Sequence, residues 1–327
     1  MTTARHERNS ALELLRIISM FAIVLGHFTR HGGFKFPIDS LAFNRLWLQF
    51  IQFGNYGNDI FIMLTGYFLV KSSGVKIHKI FNLWLRIFFY SAGIFAIFLA
   101  FGLVKFSQDL LLRSLLPTIR NQYWFASKYL LLYIIHGWLN RFLAIITKLG
   151  YIVILLAIII YCNFFIDTSN TIKFICLYSI GGYVRLHADN LGSKKFIWLG
   201  LGLVMLHYLG VIFLDIFAIE FEHDEMMRPL IILASLCFVI GFKHLNIKHN
   251  ELINLSASAV FGVYLIHDNK LVSPFLWEKV FNNSAFQESN YLVIYSLFAA
   301  GLVYISCTVI ELARSKIFKT LSHSKLS

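Results

Sequence analysis

The stretch from Ile80 to Val104 reads IFNLWLRIFFYSAGIFAIFLAFGLV and contains a single charged residue, Arg86. An α-helix needs roughly 20 mostly apolar residues to cross the hydrocarbon core of a bilayer, and this stretch is long enough. Nine further stretches on either side have a similar character. The sequence therefore predicts ten transmembrane helices, over Ala11 to Phe28, Gly57 to Val70, Ile80 to Val104, Gln122 to Asn140, Leu149 to Ile166, Thr171 to Val184, Phe196 to Ile219, Pro229 to Phe242, Ser256 to His267 and Tyr291 to Leu312.

The composition excludes a water-soluble enzyme. Hydrophobic residues make up 58% of the 327 residues and charged residues only 14%, whereas soluble domains are about one quarter charged. The apolar runs are long and unbroken rather than alternating, which excludes an outer-membrane β-barrel. We therefore predict an all-α polytopic membrane protein whose single domain covers residues 1–327.

The net charge of +12 lies mainly in the predicted loops. With the N-terminus inside the cell, sixteen of the 29 Lys and Arg residues fall in predicted inner segments and ten in outer ones. Because the placement of Lys and Arg orients membrane proteins, we predict that residues 1–10 and 313–327 are cytoplasmic tails. The outer segments hold most carboxylates, including the cluster Glu220, Glu222, Asp224 and Glu225. Nucleic acid is therefore not expected as a partner.

Two ionisable residues lie within the first predicted span. Arg16 and His27 are eleven positions apart, so at 100° per residue they project from one helix face, about 16 Å apart along the axis. Ionisable groups inside a bilayer are costly, which makes both residues functional candidates. The structural alternative is that Arg16 pairs with Glu13 and reaches the inner headgroups, while His27 is interfacial.

The third span carries a polar stripe at its cytoplasmic end. Lys79, Asn82 and Arg86 follow one another at i, i+3 and i+7, which places them on one helix face. Such a cationic stripe suits an anionic donor that carries phosphate groups. The alternative is a basic collar on anionic lipid, which accounts for Lys79 better than for Arg86.

Other polar residues in the spans allow two interpretations each. Asp59 could orient an imidazole or cap the start of the second span. Ser256, Tyr264 and His267 share one face of the ninth span and place a second histidine near the outer surface, although a Tyr and His pair there is often interfacial. For Trp124, at the start of the fourth span, an aromatic belt is the default interpretation.

Several catalytic motifs are missing from the sequence. It contains no GxxxxGK[ST], GxSxG or HExxH pattern, which excludes a P-loop ATPase core, an α/β-hydrolase and a zincin. An HxxxxD acyltransferase motif fails at His27, because Gly32 stands five positions later. No metal site is predicted.

Five segments together resemble the acyltransferase family 3 integral-membrane O-acyltransferases. Thr65 stands where that family usually has serine, and the proline that often follows the third-span arginine is missing. The resemblance rests on Glu13 to His27, with its arginine and histidine separated by ten residues, on Asp59 to Phe68, on Leu85-Arg86-Ile87, on Gln122 to Phe125, and on Ser258 to His267.

The resemblance implies that an acyl group, most often acetyl from acetyl-CoA, is transferred to a hydroxyl of an extracytoplasmic or lipid-linked cell-surface glycan. It also implies that Arg16 and His27 are essential and that Arg86 and Trp124 matter. We accordingly expect a multi-pass protein of the bacterial plasma membrane with a glycan acceptor and membrane lipids as partners. Homo-oligomerisation stays open.

On this basis we predict that Arg16, Lys79 and Arg86 hold the phosphate-bearing part of the donor. His27 would then accept the proton of the acceptor hydroxyl, or be transiently acylated itself, with Asp59 or Tyr264 orienting it. The competing interpretations are a transporter or flippase for a lipid-linked sugar or small solute, and a structural or sensory subunit. The predicted residues are His27, Arg16 and Asp59 as the catalytic set, Arg86, Lys79 and Asn82 for the acyl donor, and Trp124, Tyr264, His267 and Ser256 in support.

Overall fold

The structure is a computed structural model that describes residues 8–37, 41–52, 54–72, 74–164, 170–188, 192–217 and 228–323. These residues form helices and connecting turns without a strand, which confirms the all-α prediction. The acidic cluster Glu220, Glu222, Asp224 and Glu225 lies outside the described residues. The main helices are α1 (Ser10–Arg30), α2 (Phe43–Ile51), α3 (Gly54–Leu69), α4 (Ile77–Ala100), α5 (Gln108–Leu115), α6 (Trp124–Ile145), α7 (Lys148–Phe164), α8 (Asn170–His187), α9 (Phe196–Ile216), α10 (Arg228–Lys243), α11 (Glu251–His267) and α12 (Leu292–His323).

Four helices within the described part of the chain are long and apolar enough to cross a membrane, namely α1, α4, α9 and the Leu292–Leu321 part of α12. Helix α11 is apolar as well but has only 17 residues. The count of ten spans and the cytoplasmic termini stay predictions. Helix α12 continues through residues 313–323, so the predicted C-terminal tail is helical over most of its length.

The chain divides into two compact units. The first unit comprises residues 1–36, 42–54 and 246–327 and contains α1, α2, α11 and α12. The second comprises residues 37–41 and 55–245 and contains most of α3 together with α4 to α10. The prediction of a single functional domain over the whole chain stays a prediction.

In the first unit, α1 and α11 lie side by side and run in the same direction. Their starts are joined, because the Ser10 hydroxyl donates to Asn254 Oδ1 at 3.3 Å and accepts the backbone N–H of Asn250 at 3.0 Å. From Ser10 to His27 and from Asn250 to His267 the chain advances by the same 17 residues, about 26 Å along each axis. This equal register brings the two histidines to the same level.

A short segment after α11 covers the far end of α1. It contains a π-helical turn, Phe275–Val280, and a 3-10 turn, Asn283–Phe286. The Asn283 amide donates to the backbone carbonyl of Phe28 at 3.0 Å, and the fully buried Trp277 packs edge-on against the Phe28 ring. These contacts fix the position of the end of α1, where His27 lies.

In the second unit, α3 and α8 cross at two glycines. A Cβ atom on Gly66 would lie 1.9 Å from the carbonyl oxygen of Tyr178, and one on Gly181 would lie 1.8 Å from that of Met63. Any side chain would therefore separate the helices, and small residues commonly allow such close approach between membrane helices. Next to this crossing, Arg185 donates to the Tyr67 hydroxyl at 3.1 Å and lies over the Tyr67 ring.

We expect Gly181→Ala to destabilise the protein by about 3 kcal/mol or more, the upper end of the usual cost of overpacking. The reason is that the added carbon overlaps backbone atoms and not a flexible side chain. Thermal unfolding of the detergent-solubilised protein measures the effect. Gly93→Ala is the matched control, since a Cβ atom there meets nothing within 4 Å, and alanine favours a helix over glycine. Equal unfolding temperatures for the two variants would contradict the close crossing of α3 and α8.

Candidate active site

Two histidines contact each other at the ends of α1 and α11. The distance from His27 Nδ1 to His267 Nε2 is 3.0 Å, which is a hydrogen-bond distance. His267 is fully buried, whereas the His27 side chain is 13% exposed. The sequence analysis selected both residues on separate helices, and the structure brings them together.

The hydrogen bonds of this pair assign the proton positions. His267 Nδ1 lies 2.6 Å from the carbonyl oxygen of Val263. A carbonyl oxygen only accepts, so His267 Nδ1 carries the proton and the neutral ring has its lone pair on Nε2. His27 Nδ1–H must then donate to His267 Nε2. Neutral His27 therefore has its own lone pair on Nε2, free to accept a proton.

Asp268 adds a carboxyl group beside the same nitrogen. Its Oδ1 lies 3.4 Å from His27 Nδ1. Burial raises the pKa of Asp268 to about 7, while the charges of Arg30 and Lys270 and the hydroxyl of Tyr264 oppose this rise. A carboxyl group with such a pKa ionises near neutral pH. It can therefore compensate a positive charge that forms on His27.

His31 lies one turn beyond His27, as the C-cap of α1. The two imidazole rings meet edge to face, with their centroids 5.3 Å apart. Burial and the charge of Arg30 lower the pKa of His31, and the carboxyl group of Glu278 opposes this shift. His31 is therefore mainly neutral at pH 7.

Arg16 forms an ion pair within its own helix. Its Nη1 lies 3.1 Å and 3.0 Å from the two carboxylate oxygens of Glu13, which is buried. The pairing that the sequence analysis considered as the structural alternative is thus present. It holds the guanidinium in place about three turns below His27, and a quarter of the Arg16 side chain stays exposed.

The supporting residues of α11 lie at different distances from the histidine pair. Tyr264 is buried one turn before His267. Its hydroxyl group lowers the pKa of Asp268 by hydrogen bonding to the carboxyl group. Ser256 is half-buried and lies eleven residues, or about 16 Å, before His267. Ser256 therefore shares the helix face, as predicted, but not the immediate surroundings of the pair.

The predicted donor residues lie on the first part of α4, in the second unit. Lys79 and Asn82 are exposed and Arg86 is half-buried. Trp124 begins α6, where its ring packs edge-on against Phe125 and Phe174. The α4 residues could bind the acyl donor or face lipid headgroups, and Trp124 could support the site or belong to an aromatic belt. Their surroundings are compatible with either role, so the predicted roles stay predictions.

Asp59 lies in the second turn of α3 and does not cap the start of that helix. It is 1% exposed, and its Oδ1 lies 3.6 Å from the Lys173 ammonium group. The carboxyl group that contacts His27 is that of Asp268. The predicted part of Asp59 in orienting His27 stays a prediction.

Sequence reasoning missed His31 and Asp268. The first could have been found from its spacing, because His27 and His31 stand at i and i+4 and so share a helix face. The second directly follows His267, a residue that had already been selected. Only the contact between α1 and α11 gives Asp268 its significance.

The fold and the site define a membrane protein with a neutral imidazole held at one end of an apolar helix pair. The family model of the acyltransferase domain, Acyl_transf_3, matches residues 9–311. The chain therefore belongs to this acyltransferase family, as its motifs indicated. No curated protein and no solved structure matches it significantly.

Proposed function

We propose that the protein transfers an acetyl or other short acyl group from cytoplasmic acyl-CoA to a hydroxyl of an extracytoplasmic or lipid-linked cell-surface glycan. The observation that carries this proposal is the chain of contacts from His27 Nδ1 to His267 Nε2 and from His267 Nδ1 to the Val263 carbonyl, within an acyltransferase domain. From this chain we infer that His27 Nε2 has a lone pair that can accept a proton. Imidazole suits this role because its unperturbed pKa of about 6.5 leaves it neutral at pH 7.

In the proposed reaction, His27 Nε2 takes the proton of the acceptor hydroxyl as the hydroxyl oxygen attacks the thioester carbonyl. The new ester bond forms, the bond from carbonyl carbon to sulfur breaks, and the thiolate of CoA leaves. The imidazolium then returns its proton to the thiolate, so the enzyme ends in its starting state. In a second version, Nε2 attacks the thioester carbonyl first, the carbon–sulfur bond breaks and the CoA thiolate leaves. The acceptor hydroxyl oxygen then attacks the acyl carbon, the bond from that carbon to Nε2 breaks, and the hydroxyl proton passes to the thiolate.

His267 and Asp268 support either version. Once His27 has accepted a proton, its Nδ1–H still donates to His267, and the ionised Asp268 offsets the positive charge. In a catalytic triad, the third residue likewise holds the imidazole in the correct tautomer and stabilises its positive charge. His267 is therefore a positioning residue that keeps the lone pair of His27 on Nε2.

The donor half of the proposal rests on charge. Acyl-CoA carries several phosphate charges, and Arg16, Arg86 and Lys79 supply cations, with Asn82 as a polar neighbour and Trp124 in support. Glu13 holds Arg16 in one orientation and leaves part of its guanidinium exposed. The proposed reaction uses no metal. The proposed location is the bacterial plasma membrane.

We expect His27→Gln to reduce acyl transfer by roughly 10²–10⁴-fold, because the amide cannot accept a proton at neutral pH. Purified protein is incubated with acetyl-CoA and candidate glycans, and release of free CoA thiol is followed. The control is His78→Gln, which alters an exposed histidine and should keep full activity. A folded His27→Gln protein with wild-type activity would refute the role of His27. A transporter would release no thiol in any of these reactions.

We expect Arg16→Lys to raise the KM for acetyl-CoA with a smaller effect on kcat. The positive charge survives this change, but the planar guanidinium, which can contact Glu13 through Nη1 and offer its other N–H groups to a phosphate, does not. Steady-state kinetics with varied acetyl-CoA measure both constants. An unchanged KM would mean that Arg16 serves only as the structural partner of Glu13.

A further inference from the structure

Three side chains that can act as metal ligands lie close together at the end of α1. One nitrogen of His27, one of His31 and a carboxylate oxygen of Asp268 all lie within 4.8 Å of one another. The two histidines come from one helix face at i and i+4, a spacing that many zinc sites use. Asp268 is supplied by the end of α11, so the contact between the two helices completes the set.

The spacing of His27 and Asp268 fits a small tetrahedral ion. Bonds of about 2.0–2.1 Å to zinc place neighbouring ligand atoms about 3.3 Å apart. His27 Nδ1 and Asp268 Oδ1 are 3.4 Å apart, and His267 Nε2 is 3.0 Å from the same nitrogen. His27 and Asp268 therefore already stand at the spacing of zinc ligands, while the nitrogen of His31, within 4.8 Å of both, has to move closer to bind the same ion. All three members of the set are partly exposed, so an ion can reach them.

We propose that His27, His31 and Asp268 bind a divalent transition metal ion such as Zn²⁺, and that this ion inhibits the enzyme. Imidazole nitrogens with one carboxylate favour zinc and its neighbours in the first transition series over Mg²⁺ or Ca²⁺, which prefer all-oxygen ligands. The inhibitory part of the proposal rests on the proposed function, whereas metal binding itself does not.

The inhibition follows from the tautomer of His27. A metal ion on Nδ1 takes the place of the proton that His27 donates to His267. Neutral imidazole keeps one N–H group, which must then be on Nε2. The ring thereby loses the lone pair that would accept the acceptor's proton. Zinc and the acceptor hydroxyl thus require opposite tautomers of the neutral His27 ring.

The test uses the full-length protein, purified without a histidine tag in detergent. Zn²⁺ is titrated against a fluorescent chelator with the wild type, His31→Gln and His78→Gln. We expect the wild type and His78→Gln to bind zinc equally, and His31→Gln to bind it at least about tenfold more weakly, since even outer-shell changes cost that much. His31→Cys, which restores a zinc ligand, should recover binding. Equal affinity in all four proteins would overturn the site.

The same proteins are then assayed for acyl transfer. Zinc should inhibit the wild type, a chelator should restore activity, and His31→Gln, measured against its own zinc-free rate, should need at least about tenfold more zinc for the same fractional inhibition. Zinc that binds at His31 without slowing the reaction would overturn the inhibitory mechanism. If no protein transfers acyl groups, the proposed function fails, while the zinc titration still decides the metal site.

Discussion

The hydrogen bond between His27 and His267 is the interaction on which the rest of this site depends. It forms because α1 and α11 start from a shared set of polar contacts and advance by the same number of residues to their histidines. Since His267 is bound to a helix carbonyl, the proton positions of both rings follow. His27 is consequently both the proposed proton acceptor and a proposed metal ligand, in two different tautomers.

Charged groups within the helices are paired in several places, as expected where burial of a charge is costly. Arg16 pairs with Glu13, Arg314 with the buried Glu311, and Lys173 with the buried Asp59. The first two pairs are three residues apart on one helix, so folding of that helix is enough to form them. Arg16 can be both anchored and available to a ligand, because its partner is local and its tip stays partly exposed.

The sequence was sufficient for the fold class and for the helix faces. Long apolar runs predict membrane helices, and the 100° step per residue places Arg16 with His27 and Tyr264 with His267. It was not sufficient for the pairing of His27 with a residue 240 positions later, because one sequence holds no information on which helices touch. For the same reason the sequence did not reveal Asp268, whose carboxyl group the structure places beside His27.

Every catalytic role proposed for His27 requires its proton on Nδ1 and its lone pair on Nε2. Nitrogen NMR of the protein with ¹⁵N-labelled histidine, in wild type and with His27→Gln to assign the signal, measures this directly. We expect a neutral His27 ring protonated at Nδ1, and a loss of this preference in His267→Leu, where the acceptor is removed. A His27 ring protonated at Nε2 in the wild type, or unchanged by His267→Leu, would contradict this expectation.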